Sequence, residues 1–245
     1  MPVEIRMTAE VNLKNHVLIE GFPGIGLVGT IAAGYIAEKR KMKPVGFIYS
    51  EKFPPMTSIH NGIAYYPARI YKDPKSDFLA VFSEFVIPGD VVFELSKAIL
   101  SFAKKKGIRE IVSLAGMTSG KPSKEKKVYG IASQEGLVKY LASKGIEIVK
   151  EGVTTGVSGV LLAECRAENF PAFTLLAESE LNYPDPRASV LLVKKLEEVI
   201  GLKVDVKELI KEAEMIETKM RKLMNQMKKG KATYKKAEES LPMYG

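Results

Sequence analysis

Tryptophan is absent, cysteine occurs once (Cys165), and histidine occurs only at His16 and His60 in a chain of 245 residues. A single thiol excludes an internal disulfide and a cysteine-based zinc site. Two histidines leave few candidates for a metal site or a proton relay, and neither stands in a serine-plus-acid arrangement. No metal is expected. No apolar run approaches the roughly 20 residues a membrane span needs, and residues 1–10 carry acids without an apolar block. A cytoplasmic protein without a membrane partner is therefore expected. No Gly-x-x-x-x-Gly-Lys-Ser/Thr sequence occurs, so any activity should not require nucleotide hydrolysis at a P-loop.

Acidic residues are also missing from one long stretch. None occurs between Glu217 and Glu238, where eight lysines and arginines do. From Gly201 onward eleven Lys/Arg face seven Asp/Glu, so +4 of the formal charge of +8 lies there and +4 lies on the preceding 200 residues. The basic loop Gly116–Lys127 has no aromatic interleaved among Ser119, Lys121, Ser123 and Lys124. Stacking readout of a nucleic acid is thus unsupported, and no nucleic-acid partner is expected.

What is present begins with the apolar run Val17-Leu18-Ile19, then Gly21-Phe22-Pro23-Gly24-Ile25-Gly26-Leu27-Val28-Gly29, then a small-residue helix through Ala37. Strand, glycine turn and helix in that order open a parallel α/β sheet. Val3 and Ile5 suit an edge strand, and Pro44–Tyr49 the next buried one. Ala68–Tyr71 and Phe78–Phe82 flank a turn and predict a hairpin, so the sheet should be mixed. Asp90 is read as the N-cap of a helix closed by Lys104-Lys105-Lys106-Gly107, and Ser133 as the cap of a helix over Gln134–Ser143. Strands are expected at Ile108–Ala115, Val128–Ala132, Ile146–Val149 and Ala172–Ala177, with a second small-residue helix from Gly156. Cys165 lies among Leu161, Leu162 and Ala163 and reads as core. His60 reads as a turn residue. The pattern predicts a three-layer α/β/α sandwich with a mixed sheet over residues 1–201.

Beyond it, Asp205-Val206-Lys207-Glu208 has the form of a capping box. Leu209, Ala213, Ile216, Met220, Leu223 and Met227 then step by three and four, an amphipathic seam for contact with the parent domain, a sister subunit or a partner. The sequence therefore divides into a core (1–201), a projecting C-terminal helix (202–230) and a flexible tail (231–245). The tail closes on Met243-Tyr244-Gly245, an apolar residue, a tyrosine and a terminal carboxylate. Such an end suits docking into a pocket that takes a ring and an acid group.

Gly24-x-Gly26-x-x-Gly29 also spells the dinucleotide fingerprint, and Glu51 past the next strand could hold a ribose. Against that, Phe22-Pro23 removes a backbone donor. The small-residue spacing also continues through Ala32, Ala33 and Gly34, as helix-to-sheet packing would require. Packing is the preferred reading and no cofactor is expected. The alternative is a nucleotide- or nucleoside-binding α/β enzyme using the Gly24–Gly29 turn.

The stretch Gly21–Gly29, with Phe53-Pro54-Pro55 downstream, resembles the signature of the archaeal homologues of proteasome assembly chaperones, of the PbaA and PbaB type. That resemblance covers most of residues 1–200. It implies a sandwich similar to the purine nucleoside phosphorylase class without its chemistry, homo-oligomers, and helical C-terminal projections. It further implies that Met243, Tyr244 and Gly245 dock between α-subunits of the 20S proteasome: Met243 in an apolar pocket, Tyr244 wedged between subunits, the Gly245 carboxylate on a lysine. Expected, then, is a non-enzymatic, ATP-independent assembly chaperone homologue or activator, possessing no cofactor and sometimes a related chaperone subunit as partner.

Overall fold

Nine of the eleven strands among the described residues join one mixed sheet. The computed structural model describes residues 3–118, 126–179, 183–211 and 213–215. In chain order the strands are β1 (Glu4–Met7), β2 (Val17–Glu20), β3 (Lys43–Tyr49), β4 (Ser58–His60), β5 (Ile63–Tyr65), β6 (Ala68–Lys72), β7 (Phe78–Ser83), β8 (Glu110–Met117), β9 (Val128–Ala132), β10 (Glu147–Ile148) and β11 (Ala172–Glu178). The helices are α1 (Val28–Lys39), α2 (Val92–Lys106), α3 (Glu135–Ser143), α4 (Gly156–Ala167) and α5 (Pro186–Ile200). The large sheet runs β1-β3-β6-β7-β2-β8-β11-β9-β10, and β4 and β5 form a separate hairpin.

The middle of the sheet, β7-β2-β8-β11, is parallel. Its strands are covered on both faces, which is why every residue of β2 and β11 is buried and all but Glu20, Thr174 and Glu178 are apolar. The left side is antiparallel, with β6 and β7 paired as the hairpin the sequence predicts and β1 on the edge. Side-chain alternation then separates two cores. Leu18, Leu79, Ile111 and Ala172 point to α2 and α4. Val17, Ile19, Val112, Leu114 and Phe173 point to α1, α3 and α5. This is the expected three-layer sandwich.

Helix ends follow their chemistry unevenly. At α2, Gly107 takes φ 68° and caps the C-terminus behind three lysines, as expected. At α5, Asp185 accepts from the Ala188 N–H at 3.0 Å and Pro186 fills the first turn. Two predicted caps are overturned. Asp90 lies inside a 3-10 turn, Gly89–Val91, ahead of α2 and caps nothing with its side chain. Ser133 donates to the Phe170 carbonyl at 2.8 Å and accepts from the Ala172 N–H at 2.9 Å, so tertiary bonds to the start of β11 outcompete the cap, and Gln134 takes the N-cap position. His60 belongs to β4 rather than to the turn, which is Asn61-Gly62 with φ 51° and 77°, the hairpin geometry those residues favour.

After α5 the chain stays on the body. Leu202 and Leu209 pack into the α1 side of the core, and helical turns follow at 207–211 and 213–215. Only half of the capping box forms: Asp205 accepts from the Lys207 N–H at 2.9 Å, while Glu208 pairs with Lys39 of α1. The Tyr35 hydroxyl donates to the Asp205 carbonyl at 2.7 Å.

Candidate functional site: the glycine turn and the cavity above the sheet

The glycine turn is built for close packing. A Cβ on Gly29 would stand 2.0 Å from the Leu114 carbonyl oxygen, so α1 can lie this near β8 only without a side chain there. Gly26 takes φ 62°, turning the chain into α1. Gly24 is different: it is extended, and a Cβ there would meet nothing within 4 Å. It faces a cavity of about 520 Å³ past the carboxyl ends of β2, β8 and β11, where α/β proteins place ligands. Phe22, Ile131, Thr155, Val157, Ser158 and Leu176 are among its walls. Glu51, the expected ribose partner, lines instead a separate cavity of about 290 Å³ with Phe53, Pro54 and Pro55.

In the middle of the sheet runs a polar row that sequence reasoning missed. Glu20, Ser113 and Thr174 stand side by side on β2, β8 and β11, on the sheet face toward α4. Glu20 is fully buried. Its Oε1 accepts from the Phe22 N–H at 2.8 Å. Burial pushes its carboxyl above the usual range, and Ser113, the Phe22 backbone N–H and Ser158 oppose that only in part. Glu20 Oε2 and Thr174 Oγ1 have no hydrogen-bond partner. The available signal was an acid ending an otherwise apolar buried strand.

A second polar cluster holds the β4–β5 hairpin to the body. Glu84 accepts from Ser58 Oγ at 2.6 Å, lies 2.9 Å from His60 Nε2 and pairs with Arg69. Burial would raise the Glu84 carboxyl, but Ser58, His60 and Arg69 more than offset it and hold it below its ordinary value. Arg69 itself is buried, 5.2 Å from the centre of the Tyr65 ring. Ser58 donates its proton to the carboxylate rather than to an imidazole, so this is a clamp and not a nucleophile with its base. Cys165 is completely buried and its thiol is pushed up to about 12 by that burial, which makes it inert core, as expected. His16 is buried with Nδ1 3.2 Å from the Lys14 carbonyl. Among the described residues no group of three or more His, Cys, Asp or Glu could hold a metal ion. No described helix is long and apolar enough to cross a membrane.

Of the seam, Leu209 and Ala213 are each 1% exposed, and Leu209 packs on the parent domain. Ile216, Met220, Leu223 and Met227 lie outside the described residues, as do Met243, Tyr244 and Gly245.

Known proteins share this architecture. The sequence profile of the PAC2 family matches residues 18–224. An uncharacterized protein of Methanocaldococcus jannaschii is 36% identical over 236 residues, 96% of this chain and 95% of its own. Pyrococcus furiosus PbaA, an archaeal homolog of proteasome-assembly chaperone, superposes in its monoclinic form with a TM-score of 0.85 at 35% identity, covering 99% of this chain and 100% of that one. Pyrococcus furiosus PbaB, an archaeal proteasome activator, does so with a TM-score of 0.81 at 26% identity, covering 91% and 99%.

Proposed function

We propose, from the premise that this chain belongs to the PAC2 family, that it is an ATP-independent proteasome assembly chaperone homologue or proteasome activator. In this reading the sandwich is a cytoplasmic, homo-oligomeric platform without catalysis of its own. It presents C-terminal tails to pockets between the α-subunits of the 20S proteasome. Met243 fills an apolar pocket, Tyr244 wedges between subunits, and the Gly245 carboxylate meets a lysine. A related chaperone subunit is a further partner.

The observation that carries the reading is the likeness to PbaA and PbaB along nearly the whole chain. The anchoring of Leu209 on the body supports it, since a tail needs a fixed root to act at a defined distance.

The test is deletion of Met243–Gly245. The truncated protein should keep the oligomeric mass of the full chain and lose co-migration with 20S particles. Unchanged association of the truncated protein would refute the reading.

A further inference from the structure

The two ends of the large sheet are finished differently. At one end β10 has only Glu147 and Ile148, and Lys127 Nζ lies 3.2 Å from the Glu147 carboxylate, so this edge is short and charged. At the other end β1 pairs only with β3, by Glu4↔Tyr49, Ile5↔Ile48, Arg6↔Phe47 and Met7↔Gly46. The Thr8 N–H donates to the Val45 carbonyl at 2.8 Å, the next position across the same register. Opposed residues in antiparallel strands alternate between bonded and unbonded pairs. Glu4, Arg6 and Thr8 therefore spend their backbone groups on β3, while Val3, Ile5 and Met7 turn theirs outward. Among the described residues no backbone group bonds to those outward groups.

An open edge is a template for another strand, and the side chains of β1 select which one. Alternation puts Val3, Ile5 and Met7 on the face toward α2, Val3 buried and the other two half-buried. Glu4 and Arg6 share the opposite face, with side chains 38% and 50% exposed. Arg6 Nε lies 2.8 Å from Glu4 Oε2, and the guanidinium lies 5.0 Å from the centre of the Tyr49 ring. From Val3 to Met7 the order is apolar, negative, apolar, positive, apolar. Reversed about Ile5, that order offers the opposite charge at each charged position. Set antiparallel with Ile5 opposite Ile5 of a second copy, the strand brings Val3 against Met7 and Glu4 against Arg6, each contact made twice by symmetry. Ile5–Ile5 and Val3–Met7 become bonded pairs that use the outward groups. Glu4–Arg6 falls at the unbonded pairs, where Cα atoms approach to about 4.5 Å and side chains interact most closely. Centring on Glu4 or Arg6 instead sets like charges together, and centring on Val3 or Met7 separates Glu4 from Arg6.

We infer that β1 is a docking edge for a second copy of this chain, the two strands pairing antiparallel about a twofold axis at Ile5 with Glu4 opposite Arg6. Such a contact is isologous: the same strand serves both subunits, and one sheet runs through the pair. It names a subunit contact for the homo-oligomer of the proposed function and to that extent rests on that reading, but 20S association does not enter its test. Deletion of Met243–Gly245 should leave the contact intact.

Sedimentation equilibrium of the full chain over a range of concentrations tests it. The parent should form an assembly with an even number of subunits. Ile5→Pro removes an outward N–H and no bond to β3, and should lower the mass to half or less. Glu4→Arg and Arg6→Glu each set like charges opposite one another at both pairs and should each weaken association about tenfold. Both positions are exposed or half-buried at the surface, so these variants serve should the proline variant fail to fold. Mixed one to one, the two charge variants meet with opposite charges and should recover the parent's affinity, which a contact elsewhere on the surface would not produce. An oligomeric parent whose folded variants keep its mass and affinity would overturn this contact and leave the proposed platform standing, as would an odd number of subunits or a mixture no heavier than its components. A parent monomeric up to about 100 µM would overturn both the contact and the platform.

Discussion

At Gly29 and Gly24 the same residue type serves opposite purposes, and alanine separates them. A Cβ at position 29 would be driven into the Leu114 carbonyl, whereas one at position 24 meets open space. Gly29→Ala should therefore cost about 3 kcal/mol of stability, and Gly24→Ala no more than about 0.5 kcal/mol. Urea unfolding of the two variants measures the contrast, and equal effects would contradict the packing role assigned to Gly29. Glu20 adds a pH dependence. Its folded pKa lies above the ordinary 4.5, so the native state holds its proton more tightly than the unfolded chain does. The stabilisation this gives is complete below the unfolded value and is lost as pH rises through the folded one. Glu20→Gln keeps an acceptor for the Phe22 N–H and cannot ionise. It should be more stable than the parent at neutral pH, by about 1.4 kcal/mol for each unit of the shift, and the two should converge near pH 4. Were the parent as stable as the variant across that range, the carboxyl would be ionised and compensated within the fold.

The root of the C-terminal segment is an element-scale feature. Leu209 is buried against the α1 side of the body, with the Tyr35 hydroxyl bonded to Asp205 and Lys39 paired with Glu208 beside it. Leu209→Ala removes the main apolar contact, a loss of about 2 to 4 kcal/mol if the site cannot collapse. Hydrogen exchange should then quicken over residues 205–215 while amides of β8 and β11 keep their protection. A uniform loss of protection across the sheet would mean this turn is integral to the core instead. Elements of this kind were largely legible in the sequence. Strand β9 falls on Val128–Ala132 as the pattern indicates, and α2, the β6–β7 hairpin and edge strand β1 lie where period and punctuation place them. Capping was less legible, because Ser133 has a long-range choice between its own helix and the Phe170–Ala172 backbone that local sequence does not display. The β4–β5 hairpin was hidden by its short strands and by Pro67, although Asn61-Gly62 carried its turn signal. The cavity was illegible for a stronger reason. Its walls come from β8, β9, β11, the glycine turn and the loop before α4, and Glu20, Ser113 and Thr174 meet only through strand register.

At the scale of the whole molecule, the proposed function makes the body's contribution to tail docking geometric. A tail tip of three residues buries little surface, and association entropy consumes much of what a single tip gains. Several tips rooted at fixed positions on one platform change the arithmetic, because each tip after the first docks from a high effective concentration. A free peptide of residues 231–245 should accordingly compete for 20S particles about 100-fold or more less well than the intact protein. Surface plasmon resonance on immobilised 20S particles, with peptide and protein as competitors, gives the ratio directly. The same peptide ending in Ala at position 244 should compete still less, because the ring supplies most of the buried area in the tip. Equal potency of free peptide and intact protein would show that the tip alone is sufficient, and a multivalent platform would then have no role in proteasome association.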